Sequence, residues 1–134
     1  MKKNAFGKKY RLGRNSEFKA VINNGLRISG EFFTLYLAEN SLDIPRLGVS
    51  VGKGCGKAAV RNRIKRLFRE AFRLNKDNIP AGFDYLAIVN TKGSKITPAD
   101  FKNLVKNLKM QETAEKFTAC VEKGMKIYNK RRKF

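Results

Sequence analysis

Residues 57–73 read KAAVRNRIKRLFREAFR, and they decide how the rest of the chain must be arranged. Each helical residue advances about 100° around the axis. On that wheel Arg61, Lys65, Arg69, Asn62, Arg73, Arg66 and Arg63 span one half of the circumference. Val60, Leu67, Ile64, Ala71 and Phe68 span the other, with Phe72 at the border. The stretch predicts one amphipathic helix, apolar on the side that packs and cationic on the side that does not. It holds seven of the thirty basic residues and a single acid, Glu70. A merely solvated face mixes its signs, because opposite charges at i,i+4 stabilise a helix and like charges destabilise it. Here Arg61, Lys65, Arg69 and Arg73 follow one another at i,i+4 with no acid between them on that face, which predicts a polyanionic partner. The excess of arginine favours bidentate contact with phosphates and base edges.

The whole chain repeats that message. It has 134 residues, enough for one domain with a real core, and a net charge of +19. Such a charge works against a free compact state and favours a polyanion. The 42% hydrophobic content is that of a folded domain, not a disordered basic tail. Cys55 and Cys120 lack metal-ligand spacing and read as unlinked thiols in a reducing compartment. No apolar run has the length of a membrane span and no signal peptide is visible, so the expected location is cytoplasmic.

Working outward, residues 1–14 carry six basic residues and no acid, and predict a basic arm, mobile alone and ordered on RNA. Asn15 or Ser16 is the expected cap of a short helix carrying Phe18, Val21 and Ile22 on one side. Phe18 is either core or the wall of a groove; its spacing does not decide. Leu26–Ser29 suits a short strand, and 32–38, FFTLYLA, a more secure one with Phe33, Leu35 and Leu37 inward. Its other face, Phe32, Thr34 and Tyr36, has two aromatics and a hydroxyl, which suits stacked bases. A turn at 40–45 is expected between antiparallel strands, and 46–53, RLGVSVGK, is the next strand, with Leu47, Val49 and Val51 inward. The glycine-rich loop at 52–56 leads into the basic helix, a geometry that can cradle a phosphate, but no Walker pattern fits. A strand at 83–90, a lysine-bearing loop at 91–96 and a helix capped by Thr97 with Pro98 follow. A last helix is expected over about 111–128, interrupted by Gly124, and then a basic tail, 129–134. The reading is a single α+β domain, residues 1–134: α-β-β-β-α-β-α with a mixed four-stranded sheet and an extra C-terminal helix.

The chain has no histidine, and its eleven acids form no D-x-D or D-x-E pair, so neither a histidine-based site nor a two-metal nuclease is expected. Residues 59–67, AVRNRIKRL, preceded by 46–53 and followed by Arg69-Glu70-Ala71-Phe72, resemble the RNR motif of the bacterial ribonuclease P protein component. Tyr10-Arg11-Leu12, Phe18 and Tyr36 fall in the matching order upstream, and the resemblance covers about residues 8–108. It implies a left-handed βαβ crossover and a ribonucleoprotein endonuclease. In that enzyme ribonuclease P RNA cleaves precursor tRNA with Mg2+ held mainly by the RNA; the protein supplies affinity and metal-ion tolerance. No protein catalytic residue, metal site, small-molecule substrate or membrane partner is implied. Arg61, Asn62, Arg63, Lys65, Arg66 and Arg69 would face the catalytic RNA. Phe18, Ile22, Thr34, Tyr36, Ser50 and Lys53, with Arg11, would line a cleft for the single-stranded 5′ leader. The chain departs from the family where Gly54 follows Lys53 in place of a second lysine, and where Ile22 replaces a common aromatic. Loss of an aromatic platform weakens stacking by about 1–3 kcal/mol per base. A general RNA-binding or ribosome-associated protein shares the basic helix but predicts no dependence on leader length. A membrane-binding amphipathic helix is disfavoured, because the core needs its apolar face.

Overall fold

The computed structural model describes residues 7–90 and 97–132. In order these form α1 (Asn15–Asn24), β1 (Leu26–Ser29), β2 (Thr34–Glu39), β3 (Arg46–Val51), α2 (Ala58–Asn75), β4 (Phe83–Val89), α3 (Pro98–Asn107) and α4 (Met110–Arg132), with short 3-10 turns at Lys8–Tyr10 and Lys53–Cys55. The sheet order is β1-β2-β4-β3. β4 pairs antiparallel with β2 and parallel with β3, so the turn at 40–45 does not close a hairpin; β4 lies between the strands it joins. β4 is mostly apolar and buried because it is an inner strand, and its one charged residue, Asp84, is buried as the partner of Arg46.

The hand of the β3-α2-β4 crossover follows from Leu47. Its side chain lies in the core beneath α2, and its carbonyl accepts the Leu12 N–H at 2.9 Å, on the strand edge away from β4. Seen from α2 with β3 running upward, an L-residue whose side chain faces the viewer aims its N–H and C=O to the right. Leu12 is therefore on the right, β4 on the left, and the crossover is left-handed, opposite to the general rule for parallel strands.

α2 and α4 cover one face. Ile64, Leu67, Phe68, Ala71 and Phe72 of α2 are buried there. Phe68 meets Phe32, Phe33 and Phe117 at centroid distances of 5.9, 5.0 and 6.4 Å, two of them edge-on. Phe32 therefore does not share the open face with Tyr36: the ladder begins only at Thr34, and the bend before it turns both phenylalanines inward. Gly124 does not interrupt α4. A Cβ there would lie 2.6 Å from Leu37 Cδ2 and 2.7 Å from Ile28 Cδ1, so the missing side chain lets the helix sit directly on β1 and β2. α4 also continues to Arg132, taking up most of the expected tail.

Among the described residues, the opposite face is covered by α1 and the N-terminal segment. The expected arm is docked from residue 7 onward: Arg11 bridges to Leu47 along the outer edge of β3, and Leu12 is 5% exposed. An apolar side chain flanked by edge hydrogen bonds explains this, and charge counting alone does not register it. The start of α1 also differs. Glu17 reaches back to the N–H groups of Gly13 and Arg14, both at 3.2 Å, in place of a cap by Asn15 or Ser16. Glu17 Oε2 then meets Arg46, whose Nε and Nη2 bind the two oxygens of Asp84, each at 2.8 Å. Thr97 caps α3 as read from the sequence, accepting from Asp100 N–H at 3.1 Å. The 91–96 loop with Lys92 and Lys95 lies outside the described residues, as do residues 1–6 and 133–134.

Two outcomes are expected. Gly124→Val should destabilise the fold by about 1–3 kcal/mol in urea unfolding, because branched methyls cannot be admitted against Leu37 and Ile28. Burial raises the Glu17 pKa, but the two backbone N–H donors and Arg46 outweigh it and hold it below its ordinary value. Its stabilising contribution is then full above the ordinary carboxylate range and is lost as pH falls through the lowered pKa. Glu17→Gln should flatten that acid-side loss in urea midpoints measured against pH; an unchanged profile would remove Glu17 as the anchor of α1.

Candidate nucleic-acid interface

α2 carries the cationic strip because its other half is committed to the core. Asn62, Arg66 and Arg69 are exposed, and Arg61 and Lys65 half-buried, on the side away from the sheet. Arg61 Nε donates to the carbonyl of Gly56 at 3.1 Å, which ties the strip to the glycine turn. Gly56 has φ +133°, a conformation that L side chains rarely adopt, and it breaks the Lys53–Cys55 turn before α2 begins.

The strip is not uniform. Arg73 is paired with Glu70, Nε to Oε2 at 2.7 Å and Nη2 to Oε1 at 3.0 Å, so the repulsion inferred at the end of the i,i+4 run is relieved within the helix. Arg63 serves the fold directly. Its Nε donates to Val105 O at 3.1 Å and its Nη2 to Leu108 O at 3.0 Å, closing the C-terminus of α3. Arg69 has its pKa lowered, first by burial and then by the neighbouring Arg11. Arg11, on the segment that bridges to β3, thus lies near enough to Arg69 of α2 for like-charge repulsion to act between them.

The second component is the face of the sheet that α1 leaves open. Register places Ser29, Thr34, Ile88 and Ser50 in one row, and Arg27, Tyr36, Leu86 and Gly48 in the next. α1 covers the row beyond, Ala38, Asp84 and Arg46, while Leu12, Val21 and Leu86 form a small buried cluster with Phe18, Tyr36 and Ile88 packed partly against it. Phe18 is thus a wall with one side in the cluster. Gly48 permits this, since a Cβ there would lie 2.9 Å from Phe18 Cε1 and 2.9 Å from Leu12 Cβ. Ile22 is 40% exposed. Thr34, Tyr36 and Ser50 are half-buried on the floor, and Lys53 is exposed just past the end of β3.

The seven residues read as a cleft are therefore distributed as follows. Thr34, Tyr36 and Ser50 lie on the open sheet face with Phe18 packed partly against it, and Ile22 is exposed one turn further along α1; Lys53 stands beyond the Ser50 end of β3, and Arg11 bridges to the outer edge of that strand. Two floor residues escaped the sequence reading. Arg27 is opposite Tyr36 and Ile88 lies between Thr34 and Ser50. Strand alternation carried the signal for both, but around Ile88 the strand β4 is apolar on both faces, and alternation there does not say which face is open.

Among the described residues no three His, Cys, Asp or Glu side chains come together as a metal site, and no helix is long and apolar enough to cross a membrane. Cys55 and Cys120 are buried and not joined in a disulfide.

Comparison with known proteins adds an independent measure. Residues 6–123 match the family model described as Ribonuclease P. The ribonuclease P protein component of Clostridium kluyveri is 43% identical over 101 residues, covering 74% of this chain and 90% of the relative. That of Syntrophus aciditrophicus is 42% identical over 100 residues, covering 75% and 84%. Among solved structures, the RNase P protein from Thermotoga maritima superposes with a TM-score of 0.71 at 30% identity, over 84% of this chain and 96% of that one. The Staphylococcus aureus RNase P protein gives 0.66 at 27%, over 84% and 93%. With its motif, its left-handed crossover and its relatives in agreement, the chain belongs to the ribonuclease P protein family.

Proposed function

We propose that this chain is the protein subunit of a bacterial ribonuclease P, and that its two surfaces divide the work. The strip of α2, Arg61, Asn62, Lys65, Arg66 and Arg69, grips the catalytic RNA, with Arg63 holding α3 beside it. The trough beneath α1 takes the single-stranded 5′ leader of precursor tRNA. The observation that carries the reading is the adjacency of the two. The N-terminal segment bearing Arg11 is bound to the edge of β3, the strand that supplies Ser50 to the trough, and Arg11 neighbours Arg69 of the strip.

The chemistry of the trough fits a single strand. Tyr36 offers a ring for a base, Phe18 and Ile88 add apolar surface beside it, and Ile22 adds an exposed side chain on α1. Thr34 and Ser50 present hydroxyls that both donate and accept hydrogen bonds. Arg11, Arg27 and Lys53 supply cations along the path, and phosphate contacts of this kind position a strand without reading its sequence. Hydrolysis is assigned to the RNA and the Mg2+ it holds. The described acids that meet a cation, Glu17, Glu31, Glu70 and Asp84, meet arginine or lysine side chains. The two unlinked cysteines suit a reducing compartment, and the reading places the protein in the cytoplasm.

The test is cleavage of precursor tRNA by a bacterial ribonuclease P RNA at low magnesium, with and without the protein, using leaders of one and of several nucleotides. Stimulation should grow with leader length. Arg66→Ala should weaken assembly with the RNA. Tyr36→Ala should leave assembly intact while weakening precursor binding by about 1–3 kcal/mol relative to mature tRNA. Equal precursor binding by the Tyr36 variant would remove the leader from the trough. Gly48→Ala should act in the same direction as Tyr36→Ala by pushing Phe18 off the sheet.

A further inference from the structure

A second groove lies on the other side of the arginine strip. It is about 430 Å³ in volume and is lined by Ala59, Val60 and Arg63 of α2 and by Lys102, Val105 and Lys106 of α3. Its floor is aliphatic, its rim has three cations, and no acid is among its lining residues. Lys102 and Lys106 are both exposed and stand one turn apart on α3. The two hydrogen bonds from Arg63 to the end of α3 fix the plane of its guanidinium.

We propose that this groove takes one unstacked nucleotide of the bound ribonuclease P RNA, an inference that rests on the RNA-binding reading above. A guanidinium with two of its donors already satisfied is poorly placed to fork onto a phosphate. Its flat face remains a stacking surface, and Arg planes hold splayed RNA bases in this manner. The base enters over Ala59, Val60 and Val105 and stacks on Arg63. Lys102 and Lys106 hold the flanking phosphates as point charges. A volume of this size falls within the range of small-ligand sites. Charge selects the occupant: three cations without an acid disfavour a basic or neutral partner, and the neighbouring strip already faces an RNA.

Binding of the full chain to ribonuclease P RNA, measured across a salt series, tests the proposal with two kinds of variant. Lys102→Gln with Lys106→Gln should weaken binding about tenfold and lower the slope of log affinity against log salt by about 1.5, the loss of two phosphate contacts. Ala59→Phe, at an exposed position in the first turn of α2, fills the groove without changing charge. It should weaken binding about fivefold with the slope unchanged. Ala59→Leu, a smaller filler, should show a lesser loss and separates blocking from misfolding. Crosslinks from 4-thiouridine-substituted RNA should map to Val60, Arg63 or Val105 and vanish in Ala59→Phe. If the filled variants bind and crosslink like the parent, no base enters and the proposal fails, even if the lysine pair matters as diffuse charge. If all groove variants bind normally while Arg66→Ala does not, the groove is excluded and the ribonuclease P reading stands. If the unaltered chain does not bind the RNA, both fall.

Discussion

The seating of α2 on the sheet is the interaction on which the rest of the structure depends. Ile64, Phe68, Ala71 and Phe72 are all essentially inaccessible, and Phe68 is ringed by three other phenylalanines, two from the bend just before β2 and one from α4. Removing a ring of that kind from a core costs about 3–5 kcal/mol, a large share of a small domain's stability. With that half of the helix committed, the other half has nowhere to go but outward. Cations accumulate on one surface because apolar packing leaves no other place for them. The left-handed passage from β3 to β4 is part of the same arrangement, since with this strand order it fixes which face of the sheet α2 covers.

Electrostatics then sorts the cations by task. Arg46 lies between Glu17 and Asp84 and fastens α1 to the sheet, which holds the trough wall in place. Arg63 closes α3, and Arg73 is held by Glu70. The arginines left facing outward are fewer than the composition suggests, and they lie next to open surface. Arg69 beside Arg11 is the clearest case: burial and like charge both disfavour the cation there, and an incoming phosphate reverses the second effect.

Glycines show how close approach is built in. Gly48 lets Phe18 and Leu12 rest on the sheet, and Gly124 does the same for α4 over β1 and β2. In sequence both look like weak points, in a strand and in a helix. In the fold each is a contact surface where a side chain would hold two layers apart.

Periodicity made the architecture legible before any coordinates. The 3.6-residue pattern of 57–73, the alternation in 46–51 and the Thr97-Pro98 start signal each named an element correctly, because local hydrogen bonding and one-sided burial write themselves into residue order. The RNR motif with its glycine lead-in pointed to the family for the same reason: it is one contiguous segment of the chain. What the sequence by itself determined was therefore the set of elements, their inward faces and the kind of partner. Tertiary structure decided what each polar group does. Phe32 turned inward, Arg63 and Arg73 spent hydrogen bonds inside the protein, residues 7–14 docked as an edge, and Arg27 and Ile88 joined the trough. Those outcomes depend on neighbours tens of residues away in the chain. A guanidinium's choice between a carbonyl of its own fold and a phosphate of another molecule is settled by which acceptor folding brings within about 3 Å.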